Sequence, residues 1–175
     1  MNEKRDASSS ALYRLDDDGA LVEVVGGIMI ANGLAWSPDG KTMYHADTPT
    51  HTVRVFDYDV STGTPTNPRI FARWMGETDR PDGAAVDRDG NYWSAFYRGG
   101  KVVQISPQGS LIAEYPVPAM CPTMCAFGGP DLKTLYVTTA RQMREPEELA
   151  RLPQSGGIFS MRVDSPGLPE PHWRT

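Results

Sequence analysis

The 175-residue chain carries only two cysteines, three histidines and no cluster of basic residues, and each shortage closes a class of function. Two cysteines are too few for a disulfide scaffold. Cys121 and Cys125 stand four apart with no further soft ligands nearby, so they read as buried free thiols and not as half of a zinc site. His45, His51 and His172 are scattered and no G-x-S-x-G serine accompanies them, so no hydrolase triad can be assembled. With 17 Lys+Arg against 22 Asp+Glu, the net charge of -5 argues against nucleic acid as a partner, because such binding rests on neutralised phosphates. No apolar run approaches the roughly 20 residues of a membrane helix, and the opening MNEKRDASSS has no signal-peptide core. These absences predict a soluble, cytoplasmic protein with no membrane partner.

What the chain does have is aromatic residues and turns. Four Trp and seven Tyr, with 17 Gly and 15 Pro, fit a packed domain of short strands. The pattern predicts strands at Ala11–Leu15, Leu21–Val25, Leu34–Trp36, Met43–Ala46, His51–Asp59 and Ile70–Trp74. A second group follows at Ala84–Val86, Tyr92–Phe96, Lys101–Ile105 and Leu111–Tyr115, and a third at Cys125–Phe127, Leu135–Thr139 and Ile158–Val163. One slip of alternation within His51–Asp59 suggests a bulge. The one helical piece expected is Glu145–Arg151, with Pro146 suited to a first turn. The domain is expected over residues 11–168, with a disordered segment over 1–10 and a tail over 169–175.

Three stretches repeat one another: NGLAWSPDGKTMY from Asn32, PDGAAVDRDGNYW from Pro81, and CAFGGPDLKTLY from Cys125. Their anchors lie about 50 and then about 42 residues apart, a period suited to propeller blades. Asp39, Asp89 and Asp131 recur at the turns and are expected to cap hairpins. In this register Asn32 falls on Asp82, each immediately before a glycine, while the third equivalent is Met124. A repeat fold carries equivalent positions around one axis, so Asn32 and Asp82 converge as candidate oxygen ligands for a single Ca²⁺, Mg²⁺ or Mn²⁺, with Zn²⁺ possible if water completes the shell. The alternative stays open that both are turn residues, since Asn-Gly and Asp-Gly are favoured hairpin dipeptides. Asp47, at the end of a strand, is expected to act through structural hydrogen bonds, and Arg141 either reaches the channel mouth or forms a surface ion pair.

With ALYRL at Ala11, NGLAWSPDGKTMYHADT at Asn32, RPDGAAVDRDGNYWSAFYRGG at Arg80, PTMCAFGGPDLKTLYVTTAR at Pro122 and QSGGIFSM at Gln154, the chain resembles the SMP-30/gluconolactonase/luciferin-regenerating family. The resemblance implies an all-β, six-bladed β-propeller of which this chain covers roughly half, and one divalent cation in a central channel. It assigns Asn32 and Asp82 as metal ligands and Asp82 as the catalytic group that holds or deprotonates water. The family's N-terminal glutamate ligand and its early-blade arginine and asparagine have no counterpart in these residues, so the chain corresponds to the C-terminal half. The implied activity is hydrolysis of a small sugar-acid lactone, impaired where those blades are absent. The rival readings are a non-catalytic cation-binding or protein-binding module and an inactive fragment. A half ring also predicts self-association to complete the propeller.

Overall fold

In a computed structural model the described residues are 8–76 and 78–170. The strands are β1 (Ser10–Leu15), β2 (Leu21–Ile28), β3 (Ala31–Trp36), β4 (Thr42–Asp47), β5 (Thr52–Asp59) and β6 (Thr64–Arg73). They continue as β7 (Arg80–Val86), β8 (Tyr92–Tyr97), β9 (Lys101–Ile105), β10 (Leu111–Pro116), β11 (Pro122–Gly128), β12 (Thr134–Thr139) and β13 (Ile158–Arg162). The helix α1 spans Pro146–Arg151, with its proline in the first turn where a missing N–H costs nothing. Its neighbour Arg144 pairs with Glu148 through Nε–Oε1 at 2.7 Å.

The strands form four antiparallel sheets, each in chain order: β1-β2, β3-β4-β5-β6, β7-β8-β9-β10 and β11-β12-β13. The first strands of successive sheets, β3, β7 and β11, lie side by side. This is the meander and packing of propeller blades, as the repeats predicted. The slip in β5 is a register shift against β6 only, between Val53 and Arg54 and again between Val55 and Asp57. Its pairing with β4 stays regular. Ser10 already belongs to β1, so the strand begins inside the segment expected to be disordered; residues 1–7 and most of the expected tail (171–175) lie outside the described residues.

Period-two alternation in β8 explains why the sheets stack. Tyr92 and Phe96 enter the core shared with β3–β6, where Tyr44, Ala46 and Val53 are buried. Trp93, between them in sequence, points the other way into the core with Cys125, Leu135 and Val137. Tyr92 lies 5.1 Å from Tyr44, and Trp74 meets Phe96 edge-on at 4.7 Å. On the opposite side Trp93 stacks on Tyr115 at 5.1 Å. Each such pair adds about 0.5–1.5 kcal/mol beyond burial, so β8 cements both of its neighbours. A frame locked this way fixes the inner strands that carry the candidate ligands.

Candidate metal and catalytic site

Asn32 and Asp82 lie inside strands, not at hairpin turns. Asn32 pairs with Ala46 in the β3–β4 ladder, and Pro81 pairs with Phe96 in β7–β8. In both ladders the register slips just afterwards, between Asn32 and Ala35 and between Pro81 and Ala84. A bulge re-aims the side chain beside it, and here it does so at the same place in two neighbouring sheets. The turn reading of these two residues therefore falls.

The glycine after each candidate ligand lets the next inner strand approach. Gly33 has φ +54, and a Cβ there would collide with the Tyr92 hydroxyl and stand 3.0 Å from the Asp82 carbonyl oxygen. A Cβ on Gly83 would meet the Met124 sulfur and stand 2.7 Å from the Thr123 carbonyl oxygen. The same slip recurs in β11 between Pro122 and Met124. Pro81-Asp82-Gly83 thus corresponds to Pro122-Thr123-Met124, and the third equivalent of the candidate ligands is Thr123, not Met124. The extra residue in the Gly128-Gly129 turn, with Gly129 at φ +80, displaced the sequence register by one. Thr123 Oγ1 shares a 2.8 Å hydrogen bond with Thr138 Oγ1.

A hydrogen-bond chain links the two candidates. The Thr48 hydroxyl donates to the Pro81 carbonyl at 2.7 Å, next to Asp82. Its single proton is thereby used, so it accepts from Asn32, whose Nδ2 donates to Thr48 Oγ1 at 2.8 Å. That assigns the amide orientation: nitrogen toward Thr48, with Oδ1 left as a free acceptor among the described residues. Asn32, Thr48, Arg80, Asp82, Tyr97 and Gln142 all border one cavity of about 560 Å³.

Burial pushes the Asp82 carboxyl up to about 6, with the Gly83 N–H offsetting part of the shift. Among the described residues no cationic side chain forms an ion pair with it. An amide oxygen and an unpaired, partly desolvated carboxylate on one wall fit a hard divalent cation. Among the described residues no three His, Cys, Asp or Glu side chains cluster as a complete metal cage. Asn32 and Asp82 would leave most of a cation's positions to water or to another ligand.

The other candidates sort away from the cavity. Asp47 accepts from the backbone N–H of Ile30 at 2.9 Å and of Met29 at 3.3 Å, the structural role expected. Asp39 and Asp131 cap their hairpins through the N–H groups of Lys41 and Lys133. In the second hairpin that task falls to Asp87 rather than Asp89: Asp87 takes the N–H of Asp89 and of Asn91, while Asp89 accepts from the Ser165 hydroxyl. Cys121 and Cys125 are buried free thiols, and burial pushes Cys125 up to about 12, which removes thiolate reactivity. His45 is buried with Nε2 unpartnered among the described residues, and desolvation lowers it to about 4, so it is neutral at pH 7. Arg141 is exposed and does not border the cavity, whereas Arg80 does. Arg80 went unread in the sequence, since the bulge after Pro81 breaks the period-two spacing that would tie it to Asp82.

The chain is similar to known proteins along most of its length. The pattern described as the SMP-30/Gluconolactonase/LRE-like region matches residues 1–141. The chain belongs to this family. It is 46% identical over 169 residues to the 6-deoxy-6-sulfogluconolactonase of Pseudomonas putida, covering 95% of this chain and 57% of that protein. It is 38% identical over 152 residues to the regucalcin of Oryctolagus cuniculus, covering 86% of this chain and 51% of the relative. The crystal structure of a calcium-binding regucalcin from Agrobacterium tumefaciens superposes with a TM-score of 0.93 at 31% identity, covering 100% of this chain and 59% of that one. The chain thus spans about half the length of the curated relatives it matches. No helix among the described residues is long and apolar enough to cross a membrane.

Proposed function

We propose that this chain carries the metal- and water-handling wall of a divalent-cation-dependent sugar-acid lactonase with a six-bladed propeller fold, of which it supplies about half the blades. One observation carries the reading: two neighbouring inner strands present a free amide oxygen at Asn32 and an unpaired carboxylate at Asp82 to the same cavity. The lactonase names among its relatives and its family membership support the reaction class. When bound, a Ca²⁺, Zn²⁺, Mn²⁺ or Mg²⁺ ion would polarise the lactone carbonyl. Asp82 is the catalytic residue: burial raises its carboxyl to about 6 in the metal-free chain, so it is mostly ionised at pH 7 and available to hold an attacking water or take its proton. Thr48 fixes the Asn32 amide so that its oxygen needs no reorganisation to serve as a ligand. Two free thiols and an acidic surface suit a cytoplasmic setting, and the open blade faces suit pairing with a second copy.

A second reading, a cation-binding module without catalysis, is favoured by one observation: among the described residues no acidic or imidazole side chain other than Asp82 lines the cavity with Asn32. Calorimetric titration with Ca²⁺, Mn²⁺ and Zn²⁺, paired with a glucono-lactone hydrolysis assay, separates the two. Binding and turnover that both disappear in Asp82→Ala are the expected result. Hydrolysis unchanged in Asp82→Ala refutes the assignment, and binding without hydrolysis selects the module.

A further inference from the structure

The cavity that holds Asn32 and Asp82 contains a cation of the protein's own that the proposed chemistry does not use. Arg80 borders it from β7, two residues before Asp82, and the two side chains line the same cavity. The Arg80 Nε is buried and has no hydrogen-bond partner among the described residues. Other arginines of this chain are engaged: Arg14 with Asp16, Arg69 with Asp57, Arg144 with Glu148 and Arg162 with Asp131. Arg80 has no such carboxylate among the described residues, and even Asp82 does not pair with it.

A buried guanidinium donor left unpaired is costly, and native structures leave few such groups without a role. An arginine also presents five donors in a planar fork that matches the oxygens of a carboxylate, sulfonate or phosphate. Thr48, Gln142 and Tyr97 share the cavity wall, and the one carboxylate that borders it, Asp82, forms no ion pair with Arg80 among the described residues. In a chain of net charge -5, attraction of an anion to this wall must be local rather than a property of the whole surface. Asp82 lies on the same wall, so an uncharged part of a ligand has to face the carboxylate while an anionic end reaches Arg80.

We propose that Arg80 is a specificity-determining residue that binds an anionic substituent remote from the reacting carbonyl, so that the substrate class is a sugar lactone carrying a second, negatively charged group. This rests on the lactonase reading of the cavity, since it takes the carbonyl to face Asn32 and Asp82. Arg80 donates to the anion's oxygens and leaves the hydrolytic step to the other residues. The fork accommodates a carboxylate, a sulfonate or a phosphate.

Open-chain sugar acids test this without turnover. D-gluconate, with a hydroxyl at C6, is compared with D-glucarate, which has a carboxylate there, and with 6-phosphogluconate. Binding is measured by calorimetry on the purified chain, first with EDTA and then with Ca²⁺. At least one doubly anionic acid is expected to bind tighter than gluconate by roughly tenfold or more, as for a charged hydrogen-bond pair. Which one does so separates carboxylate from tetrahedral-anion recognition. In Arg80→Gln the ratio should fall to within about twofold, and Arg80→Lys, which keeps the charge without the fork, should fall between. Melting followed by circular dichroism checks that both variants fold; should Arg80→Gln melt too low to assay, the intermediate ratio in Arg80→Lys carries the test. A wild-type chain that does not distinguish the acids overturns the proposal, as does a preference that survives in Arg80→Gln. Lactone hydrolysis with no anionic preference defeats this assignment alone. An Arg80-dependent preference in a protein that hydrolyses no lactone defeats the lactonase reading alone.

Discussion

Asp87 and Asp82 sit on the same strand-turn unit, five residues apart, and their surroundings are opposite. Asp87 is fully buried and saturated: it accepts from the N–H of Asp89 and Asn91, from Asn91 Nδ2 at 2.9 Å and from Trp93 Nε1 at 2.8 Å. Asp82, at the cavity end of β7, is partly buried with only the Gly83 N–H to offset that burial among the described residues, and its carboxyl rises to about 6. One carboxylate stitches the outer hairpin to the Trp93 core; the other is kept in want of a positive partner. The same residue type thus serves stability at one end of a blade and binding at the other, and what differs is only whether donors were built around it.

Breaking the saturated end should have the largest effect. Asp87→Ala would strand the buried Trp93 indole N–H and take the acceptor from two part-buried backbone N–H groups. A loss of about 3–5 kcal/mol is expected, typical of a buried polar hub. Urea denaturation at pH 7 measures it. A loss under about 1 kcal/mol would show that these donors find other partners and that the hub is not what anchors the hairpin.

Acting on the unsaturated end should have a smaller effect of opposite sign. A carboxyl whose folded value is raised from 3.8 to about 6 favours the folded state most when protonated, and that advantage disappears as pH rises through 6. In metal-free protein above pH 6, Asp82→Asn should therefore be more stable than wild type by about 1–2 kcal/mol, discounted because the group is only partly buried. Near pH 3.5 the two should melt together. A variant that is less stable at pH 8 than wild type would mean that the carboxylate is paired in solution and that the contrast with Asp87 is false.

The sheet order, the hairpin turns and the isolated helix were all legible from alternation and turn dipeptides. The inner strands were not read to their full length. Ala31–Trp36 and Arg80–Val86 begin three or four residues earlier than alternation suggested, because Asn32-Gly33 and Asp82-Gly83 look like turns but lie at bulges. Repeat register found Asn32 and Asp82 without geometry, yet it missed Thr123, since one inserted residue near Gly128 moved the match by one position. It also named Asp89 as the second cap where Asp87 serves; Asp-Gly spelled a turn, but which aspartate receives the N–H groups depends on where the Trp93 ring is buried. Arg80 was unreadable as a cavity residue, because only packing of β7 against β3 and the 140–143 loop encloses it.

The smallest effect is expected where the aspartate is both saturated and exposed. Asp131 pairs with Arg162 through Oδ2–Nη2 at 2.6 Å and caps the Lys133 N–H at 3.1 Å, with both side chains about half exposed. Arg162 first, then the Lys133 N–H, hold its carboxyl well below the ordinary range. A depressed carboxyl contributes stability above its unfolded value near 3.8 and loses it as pH falls further. Water and salt screen an exposed pair, so Asp131→Asn should lower the melting temperature only slightly at pH 7, and less at high salt. Toward pH 2 the wild type should lose its advantage as the carboxyl protonates. If instead Asp131→Asn approaches the loss seen in Asp87→Ala, then exposure does not separate the three hairpin aspartates, and the third turn would be held by its ion pair as firmly as the second is by its buried hub.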